Sequence, residues 1–393
     1  MVDDEIKRSV EALRGISEIQ RYFLEEPLAQ SIASFLPLNL PLYSFVIFGA
    51  IPAYQSVSLT IRTPERMCEV FDELANVLSL KERYPNIHLF EGSRERFVSE
   101  HCKKASVVIF TGRRENFTRI QKACGTDTLL LYNGVGHNPL VITPSADMDL
   151  AVQKTLYVKL FNNGQDCAGP DNILVHSLVV EIYMEKLLAE LSKVKCSASY
   201  ADDDVAVGPL FEISSLQHVV EMISNMRRQE AYIKYGGQVD LLHNIVYPCV
   251  VRTTLKQLQN FREMYAPIFL VTEYEHDREL ALYFDDPSSQ YQNSEMYISL
   301  FGESDYVASV KGSIILKNCT IHDVEKGLYE FGGYSPGASQ VSYHGVQISK
   351  PLLVPREIRN FIGTEGKKIF AGFPGIKDDF ERQIVAAQFQ ENV

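Results

Sequence analysis

The chain has 393 residues, 46% of them hydrophobic and 22% charged, and a net charge of −12. That length suits two or three domains with sizeable cores in an ordinary globular balance. No long basic run appears, which argues against a nucleic-acid surface, and no apolar stretch is long enough to cross a bilayer.

The N-terminal run MVDDEIKRSVEALRG is polar and helix-like and has no apolar signal core, so a soluble, cytoplasmic protein with no membrane partner is expected. The seven cysteines are widely spaced, with no CxxC pair. Neither a disulfide framework nor a metal site is expected from them.

In chain order, strands are predicted at Ser31–Leu36, Val57–Arg62, Asn86–Phe90, Ser106–Phe110 and Thr128–Tyr132. Between them, helices are predicted at Leu42–Tyr54, Pro64–Leu80, Arg94–Lys103 and Arg114–Ala123. Strands alternating with helices imply βαβ units and a mostly parallel, Rossmann-like sheet. From Asn133 to Pro144 the chain turns glycine-rich, and a second α/β region follows. There, helices are predicted at Asp147–Phe161, Val180–Ser192 and Ser214–Arg228, and a strand at Asn172–His176. A glycine turn, FGGYSPG, comes next, then a strand-like tail at Gln347–Pro355 and a last helix at Asp379–Gln390. The expected division is an N-terminal helix over 1–25, a cofactor domain over 26–135, a catalytic domain over 136–338 and a C-terminal strand and tail over 339–393.

The run FNNGQDCAGPDNILVH places Cys167 on an irregular turn between a helix and a strand. Backbone N–H groups at such a turn lower a thiol's pKa and stabilise an oxyanion; the alternative is an ordinary turn cysteine. Four other runs stand out: PLNLP around Asn39, IRTPE at Ile61–Glu65, FTGRREN at Phe110–Asn116 and FREMYAPIF at Phe261–Phe269. Three of them also fit a plain structural role. Asn39 fits a turn between prolines, Glu65 a favourable acid at a helix start, and the last run a helix end before a proline.

In this order and spacing the runs resemble the motifs of the aldehyde dehydrogenase superfamily, whose nucleophile motif is Phe-Asn-x-Gly-Gln-x-Cys. The resemblance covers roughly Glu26 to Pro355. It implies an α/β fold with a Rossmann-like cofactor domain and an α/β catalytic domain, and it makes Cys167 the nucleophile. PLNLP is similar to Pro-Trp-Asn-Phe-Pro, with Leu38 for Trp. By resemblance Asn39 is then the amide that binds the oxyanion with the Cys167 N–H. IRTPE is similar to Lys-Pro-Ser-Glu, with Arg62 for Lys. Glu65 would accept from ribose hydroxyls, which favours NAD over NADP. FTGRREN resembles Phe-Thr-Gly-Ser-x-x-x-Gly at the cofactor pyrophosphate. Gly112 matches, Arg113 replaces Ser, and Phe117 replaces the second Gly, where it would block a close approach. Glu263 would hold the nicotinamide ribose and Tyr265 would pack beside the nicotinamide. EFGGYSPG resembles the Phe-Gly-Gly-x-x-x-Ser-Gly turn near the substrate entrance.

Two departures mark a divergent, N-terminally shortened member. The general-base glutamate of Leu-Glu-Leu-Gly-Gly-Lys-x-Pro falls at Asn133, in YNGVGHNP. Asparagine does not accept a proton at neutral pH, so water-driven release of a thioester is expected to be slow. His137, beside it, reads either as a substitute base or as a structural donor. Only 38 residues precede Asn39, whereas the family has more than a hundred further residues there.

Three functions follow from the resemblance. The first is an NAD(P)-dependent aldehyde oxidoreductase acting through a Cys167 thiohemiacetal and thioester. The second passes the acyl group to or from CoA or a carrier thiol, with CoA as co-substrate and an acyl thioester as substrate. The third is a catalytically degenerate binding protein. A homodimer is expected, with Gln347–Pro355 as a pairing strand.

Overall fold

Five parallel strands run through the first third of the chain: β1 Ala29–Phe35, β2 Ser56–Arg62, β3 Ile87–Phe90, β4 Val107–Thr111 and β5 Leu129–Asn133. Each lies within two residues of its predicted bounds. Across the sheet they run β5-β4-β1-β2-β3, the doubly wound order in which the chain starts centrally and winds outward twice. Their apolar residues alternate between two cores. Ile32, Leu59, Ile61, Ile109 and Leu131 face one; Ala33, Phe35, Val108, Phe110 and Tyr132 face the other. Buried apolar runs of this kind belong to a parallel sheet covered on both faces.

The computed structural model describes residues 2–363 apart from 200, 201, 203, 211–212, 229–231, 259–263, 288, 290 and 293, together with 384–385. The described chain divides into two compact units, Met1–Val135 with Glu325–Glu381, and Gly136–Val324 with Arg382–Val393. The predicted catalytic domain, 136–338, therefore runs past the second unit. The reason is local: Ser339–Tyr343 pairs antiparallel with β5, which draws the chain from Glu325 into the first sheet.

The predicted strand at Gln347–Pro355 needs a further correction. Only Val346–Ile348 is strand, and it closes a hairpin with Ser339–Tyr343 in its own sheet. Val354–Ile362 is a helix, with Pro355 in the first turn, where its missing N–H costs nothing. Val354, Ile358 and Phe361 bury one face of that helix against the first core. The segment is thus not the continuous strand on which pairing between copies was expected to rest. At the chain start, helix Val2–Arg14 lies in the same unit. Its buried Glu5 accepts from the Tyr43 N–H at 3.0 Å, so this carboxylate caps the short helix Pro41–Phe45 from outside the local sequence.

The second unit is built on a sheet whose central strands are β6 Leu140–Ile142 and β7 Ile173–His176. β7 continues to Ile268–Tyr274, Cys249–Thr254 and Tyr232–Tyr235, and β6 to Tyr297–Phe301, Ile314–Lys317 and Ile384–Val385. Every described neighbour pair is parallel except Tyr232–Tyr235 with Cys249–Thr254. Leu140, Ile142, Ile173 and Val175 pack with helices Met148–Leu160 and Val180–Leu191. Val141 and Leu174 pack on the other face with Leu216, Val219 and Ile223 of helix Ile213–Arg228. The predicted helix at Asp379–Gln390 lies outside the described residues except Ile384–Val385, which are extended and pair with Ile315–Leu316 instead.

Candidate functional site

Helix Met148–Leu160 starts at Asp147, whose side chain accepts from the N–H groups of Asp149 and Leu150 at 3.1 Å each. It ends at Leu160, and the backbone then turns left-handed at three successive residues: Asn162 (φ 49°), Asn163 (φ 56°) and Gly164 (φ 73°). Asparagine and glycine are the residues that tolerate this region, which is the local reason for the Asn-Asn-Gly sequence. Gly164 meets a second demand. A Cβ there would lie 2.3 Å from the Ala266 carbonyl oxygen, so the turn is packed backbone to backbone on Ala266–Pro267. The Asn163 amide fixes a further segment, accepting from the Gly208 N–H at 2.9 Å and donating to the Pro209 carbonyl at 3.2 Å.

Cys167 follows as a half-buried thiol. Its carbonyl accepts from Asn138 Nδ2 at 2.9 Å. The Asn138 N–H in turn donates to Asp171 Oδ2 at 3.1 Å. Asp166 Oδ1 accepts from the Ala168 N–H at 3.1 Å and Oδ2 meets His322 Nε2 at 2.6 Å. Lys159 Nζ donates to the Pro170 carbonyl at 3.0 Å. Burial pushes the Asp171 carboxyl above the usual range, and the charges of His137 and Lys159 pull it back. This arrangement holds the thiol on a rigid irregular turn, which is what nucleophilic attack on a carbonyl requires. Tyr265, expected beside the nicotinamide, is half-buried with φ 41° and directly precedes Ala266–Pro267. Glu263 lies outside the described residues. His137 is 5% exposed, forms a parallel bridge with Glu295, and donates its N–H to the Ser294 carbonyl. Its neighbour Gly136 leaves no room for a side chain, because a Cβ would meet Met296 Sδ at 2.1 Å.

The first unit holds the remaining expected residues. Asn39 is half-buried in the turn before helix Pro41–Phe45, and Leu40 (φ 52°) lets the chain enter that helix. Ser44 Oγ donates to the Asn39 carbonyl at 3.3 Å. Arg62 ends β2, and Glu65 stands exposed in the turn after it. Burial, and then the Arg94 guanidinium, hold Arg62 below arginine's usual value, while Glu65 acts in the opposite sense. Gly112 (φ 144°) follows β4 and donates its N–H to the Asn133 carbonyl at 3.0 Å. Arg113 is exposed at the N-terminus of helix Arg114–Ala123. Asn133 is 3% exposed at the end of β5. Gly134 beside it packs against the Phe331–Gly337 turn, where a Cβ would lie 1.9 Å from the Gly337 carbonyl oxygen.

Phe117 corrects an expectation. It does not protrude into the turn after β4. It is fully buried and stacks on Tyr132 at 4.3 Å, inside the aromatic core that also contains Phe110.

The carboxyl ends of β2, β4 and β5 share one property. Arg62 Nε, Thr111 Oγ1 and Asn133 Nδ2 are buried polar atoms with no hydrogen-bond partner among the described residues. Such atoms are costly unless something completes them. In a doubly wound sheet a dinucleotide binds at the carboxyl ends of the strands, so these residues fit a nicotinamide dinucleotide there. Arg94, Asn138, Asp166, Asp171 and His322 were not singled out from the sequence. Asn138, Asp166 and Asp171 sit inside the runs already quoted. His322 lies 156 positions from its partner and carries no local signal.

Among known proteins, the aldehyde dehydrogenase family model matches residues 88–288, just over half the chain. A lactaldehyde dehydrogenase of Methanococcus aeolicus is 25% identical over 244 residues, which cover 60% of this chain and 52% of that protein. A D-glyceraldehyde dehydrogenase (NADP(+)) of Thermoplasma acidophilum is 30% identical over 142 residues, covering 36% and 28% respectively. The chain thus spans about half the length, or less, of these curated relatives. The crystal structure of glyceraldehyde-3-phosphate dehydrogenase GapN from Methanocaldococcus jannaschii, complexed with NADP, superposes with a TM-score of 0.70 at 18% identity, covering 88% of this chain and 81% of that one.

Proposed function

Because the chain belongs to the aldehyde dehydrogenase family, we propose that it is an NAD- or NADP-dependent aldehyde oxidoreductase, with Cys167 as its nucleophile. The observation that carries this reading is the Cys167 turn. Its left-handed Asn162-Asn163-Gly164 backbone, its packing on Ala266–Pro267 and the Asn138 clamp hold one half-buried thiol in place. That turn lies inside the stretch matched to the family.

In the proposed reaction the Cys167 thiolate, its proton given up to solvent, attacks the carbonyl carbon, and the carbonyl oxygen becomes the alkoxide of a thiohemiacetal. The Cys167 N–H is the donor proposed for that oxygen, and the family resemblance is what assigns the Asn39 amide as a second; an amide donates without titrating. Arg62, Glu65, Gly112, Arg113, Glu263 and Tyr265 are the residues proposed to hold the dinucleotide. When bound, it supplies the hydride acceptor that converts the thiohemiacetal to a thioester.

Asn133 favours a second reading for the last step. An amide at this position does not take a proton from water, so the thioester would be released by an external thiol, with CoA or a carrier arm as the class. Single turnover followed by intact-mass measurement separates the two. A Cys167 adduct that persists in buffer and disappears on adding CoA supports the thiol acceptor, and fast loss in buffer refutes it. With a persistent adduct, Asn133→Glu is expected to speed release into water by about 100-fold or more. Absence of NAD and NADP binding at millimolar concentration, measured by calorimetry, would overturn both readings in favour of a non-catalytic binding role.

A further inference from the structure

We infer that Asp166 and His322 form a buried pair that positions the Cys167 backbone, and with it the thiol. The inference rests on the reading of Cys167 as nucleophile. Asp166 immediately precedes Cys167, and its two carboxylate oxygens serve different partners. Oδ1 accepts from the Ala168 N–H at 3.1 Å, so the carboxylate spans Cys167 and closes a turn with the cysteine as its middle residue. Oδ2 meets His322 Nε2 at 2.6 Å. The side chains of His322 and Asp166 are 2% and 6% exposed.

A carboxylate that closes such a turn at a surface leaves its second oxygen to water. Here water is excluded, and an unmet buried charge is expensive. The imidazole meets that need, and its own position is fixed. Edge-on contacts hold it against Phe161 at 4.7 Å and Tyr157 at 5.7 Å between ring centres. Asp323 Oδ2 accepts from the Thr320 N–H at 2.8 Å, and its Oδ1 pairs with Lys154 of helix Met148–Leu160. Tyr157 lies on that same helix and Phe161 directly follows it, where the chain enters the Cys167 turn. His322 is therefore tied to the element that delivers the thiol. Loss of the ring takes from Asp166 Oδ2 the imidazole that meets it. That frees the turn around Cys167 to relax. Neither residue is an acid or base for substrate, since burial keeps both from water.

The test uses the full chain and three variants: His322→Leu, His322→Gln and Asp166→Asn. For each, kcat and KM are measured, together with the unfolding temperature and the rate of Cys167 alkylation by iodoacetamide, followed by peptide mass mapping. His322→Leu is expected to lower kcat by about 30- to 100-fold with KM changed less than about threefold, and to slow alkylation. His322→Gln places an amide N–H near the Nε2 position and is expected to recover kcat to within about threefold of the parent. Asp166→Asn keeps the turn acceptor, removes the charge, and is expected to cost about tenfold in kcat.

A folded His322→Leu with parental kcat and alkylation rate would overturn the inference. So would a glutamine variant that regains unfolding temperature and stays as slow as the leucine variant. Should the leucine variant not fold, parental kcat and alkylation in Asp166→Asn overturn it equally. Should the parent turn over no aldehyde, the alkylation rates decide alone. Turnover by Cys167→Ala would remove the nucleophile reading itself, whereas an inactive Cys167→Ala beside an unaffected His322→Leu would refute only the positioning pair.

Discussion

The Cys167 turn and the carboxyl edge of the first sheet differ in how far internal hydrogen bonds fix them. Around Cys167 the protein supplies its own partners: Asn138 for the Cys167 carbonyl, Asp171 for Asn138, the Ala168 N–H and His322 for Asp166. At the sheet edge Arg62 Nε, Thr111 Oγ1 and Asn133 Nδ2 are buried with no partner among the described residues. A turn whose backbone is tied by internal hydrogen bonds is largely set before anything binds, although Asn138 Oδ1 is itself buried with no partner among the described residues, while an edge that leaves polar atoms open is completed by what binds. The comparison teaches that the two halves should respond to different perturbations, the first to changes within the chain and the second to ligand.

The largest expected effect breaks the first half outright. Cys167→Ala should lower steady-state turnover by about four orders of magnitude or more while leaving dinucleotide affinity unchanged in calorimetry. Equal loss of nucleotide binding would mean that the two regions are not separable in this way. Next comes thiol selectivity. Burial pushes the thiols of Cys124, Cys249 and Cys319 up to about 11, and that of Cys102 further. A raised thiol pKa keeps the group protonated as pH rises, so near pH 8 their thiolate fraction falls about 100-fold below that of an ordinary cysteine. Iodoacetamide at pH 8 should therefore label Cys167 well before these four. Labelling of Cys124, Cys249 and Cys319 should gain only as pH approaches 11. Early labelling of Cys249 would show that its unit opens more readily than the packing implies.

The two glycines sharpen the contrast. Gly164→Ala puts a methyl 2.3 Å from a fixed carbonyl oxygen at φ 73°. It should cost about 2–3 kcal/mol in denaturant unfolding and slow Cys167 alkylation. Gly112→Ala has φ 144° and a nearest contact of 3.3 Å to the Phe110 ring, so about 1 kcal/mol is expected, with the loss read mainly in nucleotide affinity.

The same contrast explains what the sequence disclosed. β1 to β5 are apolar runs bounded by turn residues, and local pattern suffices for those. The Asn-Asn-Gly turn was visible because left-handed backbone selects residue types. No strand is predicted between Arg228 and Phe331, although Cys249–Thr254, Ile268–Tyr274 and Tyr297–Phe301 are largely buried strands of the second sheet. Short apolar runs leave helix and strand ambiguous until their neighbours are known. The run Pro351–Pro355 read as extended, yet Pro355 opens a helix whose Glu357 is fully buried with Lys350 and Arg356 as partners. Those partners lie within seven positions, yet no apolar pattern marks them. His322 with Asp166 is tertiary, and no window along the chain contains both.

The smallest expected effect concerns which dinucleotide completes the sheet edge. Glu65 alone argues for NAD, because a ribose 2′-phosphate would meet a like charge. The structure adds two guanidinium groups to the balance: Arg62 at the end of β2 and Arg94 close enough to depress it. Arg94 is itself held by Asn116, whose Oδ1 lies 2.6 Å from Nη1. An exposed carboxylate is screened by solvent and costs a bound phosphate little, whereas a half-buried guanidinium interacts with one more strongly. Arg62→Met should therefore weaken NADP by about tenfold and NAD by less. Glu65→Gln should tighten NADP by a few-fold, with NAD unchanged or slightly weaker. Equal losses of both dinucleotides in Arg62→Met would assign Arg62 to the shared part of the ligand. That result would leave Glu65 to set the preference, and the sheet edge would then be completed by ribose hydroxyls and not by a phosphate.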